Sequence, residues 1–267
     1  MNTTTLIAGY YDKVANKYDS LYTDGISKAE NSIIKDWFTE MIEASGKKVN
    51  VLDLGCGTGL GLEFLGEYNE DLFEYTGLDI SPEMICHAKN KFKHMKNTSF
   101  VVGDMTNLSQ FEDSSFDFVT SFFGSFSHAL KFLKAMSEIN RVLKNNGKIF
   151  IMVYSRYSLH AIFDFICGRN KDSLKFKQEY NIRNNGPNIS CKALFYSPCF
   201  MKKVLEKSNF KNVEHRGLNM LFEINLFKSL LNGKKESVAN FLLRKEAKFL
   251  GKFPQFGHSL ISIAEKR

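Results

Sequence analysis

Val51-Leu-Asp-Leu-Gly-Cys-Gly-Thr-Gly59 begins as an apolar run and ends in glycines at positions 55, 57 and 59. The apolar part, extended back to Val49, reads as a buried strand. The glycines then allow a tight turn and let backbone N–H groups approach a ligand closely. A nicotinamide or flavin fingerprint of the form Gly-x-Gly-x-x-Gly, counted from Gly55, would need glycine at 60, where this chain has Leu60. A phosphate-cradling loop would need Ser or Thr after a Gly-Lys pair. None of the pairs at 46–47, 147–148, 233–234 and 251–252 has one. Asp53, two residues before the first glycine, would repel a pyrophosphate and suits a ligand that carries an ammonium group.

Outward from this turn, strand and helix patterns alternate. Upstream, Tyr10, Tyr11, Val14, Ala15 and Tyr18, then Ile33, Ile34, Trp37, Phe38 and Met41, recur at helical spacing up to Gly46. Downstream, Leu62–Tyr68 predicts a helix and Phe73–Leu78 a second strand. Ser81-Pro82-Glu83 is a helix start, with Ser as cap, Pro at the first position and an acid in the first turn. Ser99–Val102, Phe116–Ser121 and Lys148–Tyr154 predict strands three to five, with an amphipathic helix over Ala129–Leu143 that Asn145-Asn-Gly147 closes. Such alternation implies a parallel sheet with helices on both faces. Residues 156–195 read as an insertion, Ser197-Pro198 as a second capped helix start, Lys211–Arg216 as a sixth strand, 219–250 as helical and His258–Ala264 as the last strand. The expected organisation is cover helices over 1–45, a binding core over 46–155, a lid insertion over 156–196, and a C-terminal part of the core over 197–267.

Two further acids sit where strands end. Asp79 follows strand two in Gly77-Leu-Asp-Ile-Ser81, and an acid there can accept hydrogen bonds from both hydroxyls of a ribose. Asp104 follows strand three in Val102-Gly-Asp-Met105, where a side chain can receive an adenine amino group. Each acid alone also reads as a turn cap. Three at successive strand ends point to the crevice in which such sheets bind ligands. With the ammonium-compatible Asp53, the ligand read from the residues is an adenosyl amino acid.

The segments taken in order resemble the class I S-adenosylmethionine-dependent methyltransferases. Residues 51–59 resemble the family's first motif, 77–80 its second-strand acid and 102–105 its adenine loop. Phe116-Asp-Phe-Val-Thr-Ser121 and Val142-Leu-Lys-Asn-Asn-Gly-Lys-Ile149 are similar to its fourth- and fifth-strand segments. Tyr11-Asp-Lys-Val-Ala-Asn-Lys-Tyr-Asp19 resembles the cover helix of its small-molecule members. The resemblance implies a Rossmann-like, seven-stranded, mostly parallel α/β sheet of order 3-2-1-4-5-7-6 with its last strand antiparallel. It implies S-adenosylmethionine as methyl donor and S-adenosylhomocysteine as product. It also implies that Ile80 and Met84 pack on the adenine and that Tyr11 or Tyr18 closes over the methionyl end. Met84 reads equally as a core residue of its helix, and Tyr18 as a packing residue. The expected cofactor contacts are thus Tyr11, Tyr18, Asp53, Gly55, Cys56, Gly57, Asp79, Ile80, Met84, Asp104, Met105 and Phe122.

The acceptor is expected past strand four, at Phe122-Phe-Gly-Ser-Phe-Ser-His-Ala129, a stretch that weakly resembles glycine/sarcosine-type N-methyltransferases. His128 is the candidate base or acceptor-orienting group, and it reads equally as a helix-capping residue. Methyl transfer from a sulfonium is an in-line displacement that needs positioning and exclusion of water, and no metal is expected. Ser121-Phe-Phe-Gly124 stands where adenine-N6 enzymes carry Asp/Asn-Pro-Pro-Tyr/Phe, and the Pro-Cys pair at 198–199 falls too late for a cytosine-C5 nucleophile. The net charge is +7 without a run of five basic residues, so nucleic acid is disfavoured as a partner. A small molecule is the expected acceptor; RNA or protein, or cofactor binding without turnover, are the alternatives. Tyr157, Phe163, Phe165, Phe195, Tyr196, Phe222 and Phe227 are candidates to line its pocket. The cysteines at 56, 86, 167, 191 and 199 form no Cys-x-x-Cys and read as reduced thiols. No signal peptide or membrane span is read, and the expected location is cytoplasmic.

Overall fold

Val49–Leu54 is the strand (β1) that the glycine turn terminates, and it lies inside the main sheet, with a strand on either side. The computed structural model describes residues 3–65, 72–182, 189–221 and 236–267. Two N-terminal helices, α1 (Thr3–Val14) and α2 (Gly25–Glu43), precede β1. After it come α3 (Leu60–Glu63), β2 (Phe73–Asp79), α4 (Pro82–Lys91), β3 (Thr98–Val102), β4 (Phe116–Ser121), α5 (Phe132–Val142) and β5 (Leu143–Tyr154). The chain continues through α6 (Leu159–Ile166), β6 (Lys177–Ile182), β7 (Ile189–Leu194), α7 (Pro198–Lys207) and β8 (Phe210–Leu218). It ends with α8 (Glu236–Leu250) and β9 (Ser259–Lys266).

The main sheet has seven strands in the order β3-β2-β1-β4-β5-β9-β8. β9 runs antiparallel to both neighbours, and the other pairings are parallel. With β6 and β7 set aside, this is the expected 3-2-1-4-5-7-6 order. Strand order reverses between β1 and β4, which places a crevice beyond their carboxyl ends.

Period-two alternation divides the sheet residues between two cores. Val51 and Phe150 join Ile34 and Phe38 of α2 on one face; Leu52, Ile149 and Ile151 join Met136 and Ile139 of α5 on the other. Both capped starts form as the sequence predicts. Ser81 Oγ accepts from Met84 N at 3.1 Å, and Ser197 Oγ accepts from Phe200 N at 3.3 Å.

Four boundaries differ from the sequence reading. The helix expected from Ala129 starts at Phe132, because Ser125–His128 forms a separate 3-10 turn after Gly124, whose φ is +78°. Asn145-Asn-Gly147 does not separate helix from strand: β5 runs through it, with Asn146 left-handed at φ +60° and a register shift opposite, between Phe116 and Phe118. Residues 156–195, read as an insertion with no element assigned, contain α6 and the β6–β7 hairpin. The helix expected over 219–250 is described from Glu236, and residues 222–235, like the end of the helix expected over Leu62–Tyr68, lie outside the described residues. Among the described residues no helix is long and apolar enough to cross a membrane.

Candidate functional site

Gly55, at φ +74°, turns the chain out of β1, and its N–H donates to Leu78 O at 2.7 Å. A Cβ there would lie 2.5 Å from that of Ser125, so only glycine lets β1's turn and the loop after β4 approach so closely. The turn aims the N–H of Gly57 at Asp79, whose Oδ2 accepts it at 2.8 Å while Oδ1 accepts Ser81 N at 2.9 Å. Burial raises the Asp79 pKa above the ordinary carboxylate value, and N–H groups of Ser81, Gly57 and Ile80 oppose that rise. Each oxygen carries one backbone bond and keeps further acceptor capacity.

These groups line a cavity of about 620 Å³ at the switch point. Of the residues singled out in the sequence, Tyr11, Tyr18, Gly55, Gly57, Asp79, Ile80, Met84, Asp104, Met105 and His128 are on its wall. Asp104 Oδ1 accepts Thr106 N at 2.8 Å, which orients the loop after β3. The wall joins an acid suited to a vicinal diol, an apolar slot of Leu78, Ile80, Met84 and Met105 suited to a planar ring, and a second acid at the slot's edge. This donor set fits an adenosyl ligand.

Asp53, Cys56 and Phe122 stand behind that wall. Asp53 is 1% exposed, and its carboxylate accepts Tyr75 Oη at 2.7 Å and Thr120 Oγ1 at 2.9 Å, between the two neighbouring strands. Burial raises its pKa to about 6, against the lowering effect of those two hydroxyls. Cys56 is buried with its thiol pKa pushed up by desolvation. Phe122 packs on Phe38, Phe64 and Phe150, and the next residue, Phe123, at φ +51°, faces the cavity instead.

The Asp53 shift has a pH consequence. Its folded pKa lies above the unfolded one, so the folded state holds the proton more tightly. The cost of the buried charge is therefore absent at low pH, grows between about pH 4 and 6, and is fully present above. Asp53→Asn is expected to be more stable relative to the native chain at pH 8 than at pH 4, by about 2–3 kcal/mol. Thermal unfolding of both proteins across that range checks it; a pH-independent difference would refute it.

A tyrosine series covers the donor end. Tyr11 and Tyr18 have ring centroids 6.0 Å apart, Tyr18 and Tyr22 5.3 Å with hydroxyls at 3.1 Å, and Tyr22 reaches Phe123 at 5.6 Å. Two acids fasten this segment down. Asp12 accepts Ser81 Oγ at 2.6 Å; Asp19 accepts Thr58 Oγ1 of the glycine turn and Lys91 Nζ of α4.

At the other end, His128 Nε2 is 3.3 Å from Tyr154 Oη and Nδ1 is 3.7 Å from Cys191 Sγ of β7. Burial lowers its pKa to about 4, so the imidazole is neutral at pH 7. Tyr154 is held by its N–H to Ser127 Oγ at 2.9 Å and by Gly124, where any Cβ would strike its ring. Tyr154, His258, Lys131 and Glu30 also line the wall. The sequence reading missed these four; Tyr154, at the carboxyl end of a strand, was the one carrying a signal. Of the aromatics expected around the acceptor, Phe195 is not on the wall but packs on Tyr154, which is, with ring centroids 5.4 Å apart and tilted by 35°. Tyr196 is fully buried, whereas Tyr157, Phe163 and Phe165 are exposed and off the wall. Phe222 and Phe227 lie outside the described residues.

Residues 52–151 match the model of a family described as "Methyltransferase domain". An uncharacterized protein of Methanocaldococcus jannaschii is 34% identical over 221 residues, 80% of each chain. A demethylmenaquinone methyltransferase of Staphylococcus haemolyticus is 36% identical over 148 residues, which cover 55% of this chain and 59% of that one. Among solved structures, the CurJ carbon methyltransferase superposes with a TM-score of 0.58 at 16% identity, over 91% of this chain and 55% of that one, which is a likeness of fold.

Proposed function

The chain belongs to the class I S-adenosylmethionine-dependent methyltransferases, and on that premise we propose that it methylates a nitrogen or oxygen of a small-molecule acceptor. The observation that carries this is the acceptor end of the cavity. His128, Tyr154, His258, Lys131 and Glu30 line the same cavity of about 620 Å³ as Asp79 and the glycine turn, together with Tyr18 and Tyr22. That volume suits a donor and one small molecule, not a macromolecular strand. The relative named for demethylmenaquinone, itself a small molecule, supports the same class of acceptor.

S-adenosylmethionine supplies, when bound, a methyl group made electrophilic by its sulfonium. In this reading Asp79 accepts the ribose hydroxyls, while Ile80, Met84 and Met105 hold the adenine ring and Asp104 its amino group. The backbone of the glycine turn, with Tyr11 and Tyr18, borders the amino acid end, and the fastened N-terminal segment keeps water from that end. Asp53 acts at one remove, by bracing the turn from below. His128, neutral and hydrogen-bonded to Tyr154, orients the acceptor and receives its proton.

The test is binding of S-adenosylhomocysteine by calorimetry, followed by turnover with methyl-labelled donor in a metabolite extract, total RNA and a protein extract. Label is expected in the low-mass fraction. Label only in RNA or protein would sink the small-molecule reading; donor binding without any turnover would leave a binding protein.

A further inference from the structure

Leu159-His-Ala-Ile-Phe-Asp-Phe-Ile166, the whole of α6, is apolar at six of eight positions. A helix apolar around its whole circumference ordinarily belongs inside a core. Here only Ala161 is buried, while Phe163, Phe165 and Ile166 are 40%, 48% and 75% exposed and Tyr157 just upstream is 37% exposed. These side chains stay exposed among the described residues even where a guanidinium group lies over a ring. The helix is nonetheless firmly placed. Ser158 Oγ caps it by accepting Ala161 N, Ser173 Oγ donates to Ala161 O at 2.8 Å, and the buried Gln178 amide donates to Ser173 O and Lys175 O. A contiguous apolar surface on a fixed element marks a contact site.

The segment that carries the patch is basic. Residues 156–177 hold Arg156, Arg169, Lys171, Lys175 and Lys177 against Asp164 and Asp172. The Arg156 and Arg169 guanidinium groups lie over Tyr157 and Phe163, at 5.2 Å and 5.0 Å. Asp172 pairs with Lys175 at 2.6 Å, and Asp164 is shared between His160 and Arg169, which leaves a positive excess. Exposed Phe and Ile next to Arg and Lys is the composition of a helix seated at a lipid interface. A second copy of the chain fits less well, because a two-fold contact through this patch would set one basic segment against the other.

We propose that α6 and the basic segment around it seat the protein on an anionic lipid bilayer. Phe163, Phe165 and Ile166 enter the boundary between headgroups and acyl chains, and Lys171 and Lys177 face lipid phosphates. β5 delivers Tyr154 to the cavity wall just before α6 begins, so a docked protein holds its acceptor end close to the bilayer.

Sedimentation of the full chain with phosphatidylglycerol–phosphatidylcholine vesicles tests this directly. Binding is expected to the anionic vesicles, weak to pure phosphatidylcholine, and reduced by salt. Ile166→Glu should abolish most of it. Lys171→Ala with Lys177→Ala should lower the partition coefficient about 25-fold, at about fivefold per basic residue. Both variants should keep the native Tm and S-adenosylhomocysteine affinity, because none of these side chains lines the cavity. No binding to anionic vesicles, or binding that Ile166→Glu leaves unchanged, overturns the proposal. So does a dimer in light scattering that Ile166→Glu dissolves, or capture of an acidic protein in place of vesicles.

Discussion

Asp79→Ala is expected to weaken S-adenosylhomocysteine binding about 100-fold or more. The carboxylate is on the cavity wall and touches both the glycine turn, through Gly57 N, and the start of α4, through Ser81 N. In the proposed pose it accepts two ribose hydroxyls. Charge-assisted bonds of this kind contribute about 1.5 kcal/mol or more each, and two of them make about 3 kcal/mol. The substitution also leaves Gly57 N without its acceptor, which loosens the turn and adds to the loss. Stability should move less than affinity, because removing a buried carboxylate relieves desolvation while it costs the two backbone bonds. Asp79→Asn should fall between, since its amide can accept from one of the two N–H groups but not both. Calorimetry with S-adenosylhomocysteine and thermal unfolding separate the two effects. A lower Tm with native affinity would make Asp79 a turn-bracing residue and remove it from the ligand site.

The part of the cavity walled by the glycine turn, Asp79 and Asp104 was legible because its signals are local. Glycines at a strand end, acids at two further strand ends and a Ser-Pro cap each state their geometry within a few residues, and the sheet order follows from alternation and the resemblance together. Asp53 shows where local reading stops. Its position two residues before Gly55 was right for a ligand contact. Its direction, however, depends on Tyr75 and Thr120, which neighbouring strands bring to its two sides. Phe122 was misdirected for a related reason: the left-handed Phe123 breaks the strand's alternation, so the aromatic facing the cavity is one residue later. The acceptor half was scarcely legible. Cys191 comes from the β6–β7 hairpin inside the insertion, and His258 from just before the last strand. They are brought near His128 and Tyr154 only by the completed fold. Asp12 and Asp19, whose bonds run to Ser81 and to Thr58 and Lys91, carry no motif that announces a fastening role.

His128→Ala is expected to lower kcat about 100-fold or more and to leave S-adenosylhomocysteine affinity within about twofold. The ring contacts Tyr154 and Cys191, and general base assistance is worth about 100- to 10,000-fold. The sign of its pH dependence follows from burial. Its folded pKa of about 4 lies below the ordinary imidazole value, so protonation is resisted. The imidazole therefore stays available as an acceptor through neutral pH, and kcat/KM is expected to fall only as pH drops towards about 4. The same depression makes this group's contribution to stability present above the unfolded pKa and lost as pH falls below it. Packing alone would give a different pattern. If His128 only fills space between Tyr154 and Cys191, His128→Ala lowers Tm and raises KM while kcat survives. Two further variants divide the roles. His128→Gln can keep a hydrogen bond to Tyr154 but cannot take a proton at neutral pH, so retained kcat there would make His128 a positioning residue. Tyr154→Phe removes the hydroxyl 3.3 Å from Nε2. If that hydroxyl fixes which ring nitrogen carries the proton, Tyr154→Phe should lower kcat and shift the acid limb of the pH profile, with KM for the donor unchanged. An unmoved pH profile would show that the imidazole acts without Tyr154, and would leave the acceptor itself as the partner that fixes its tautomer.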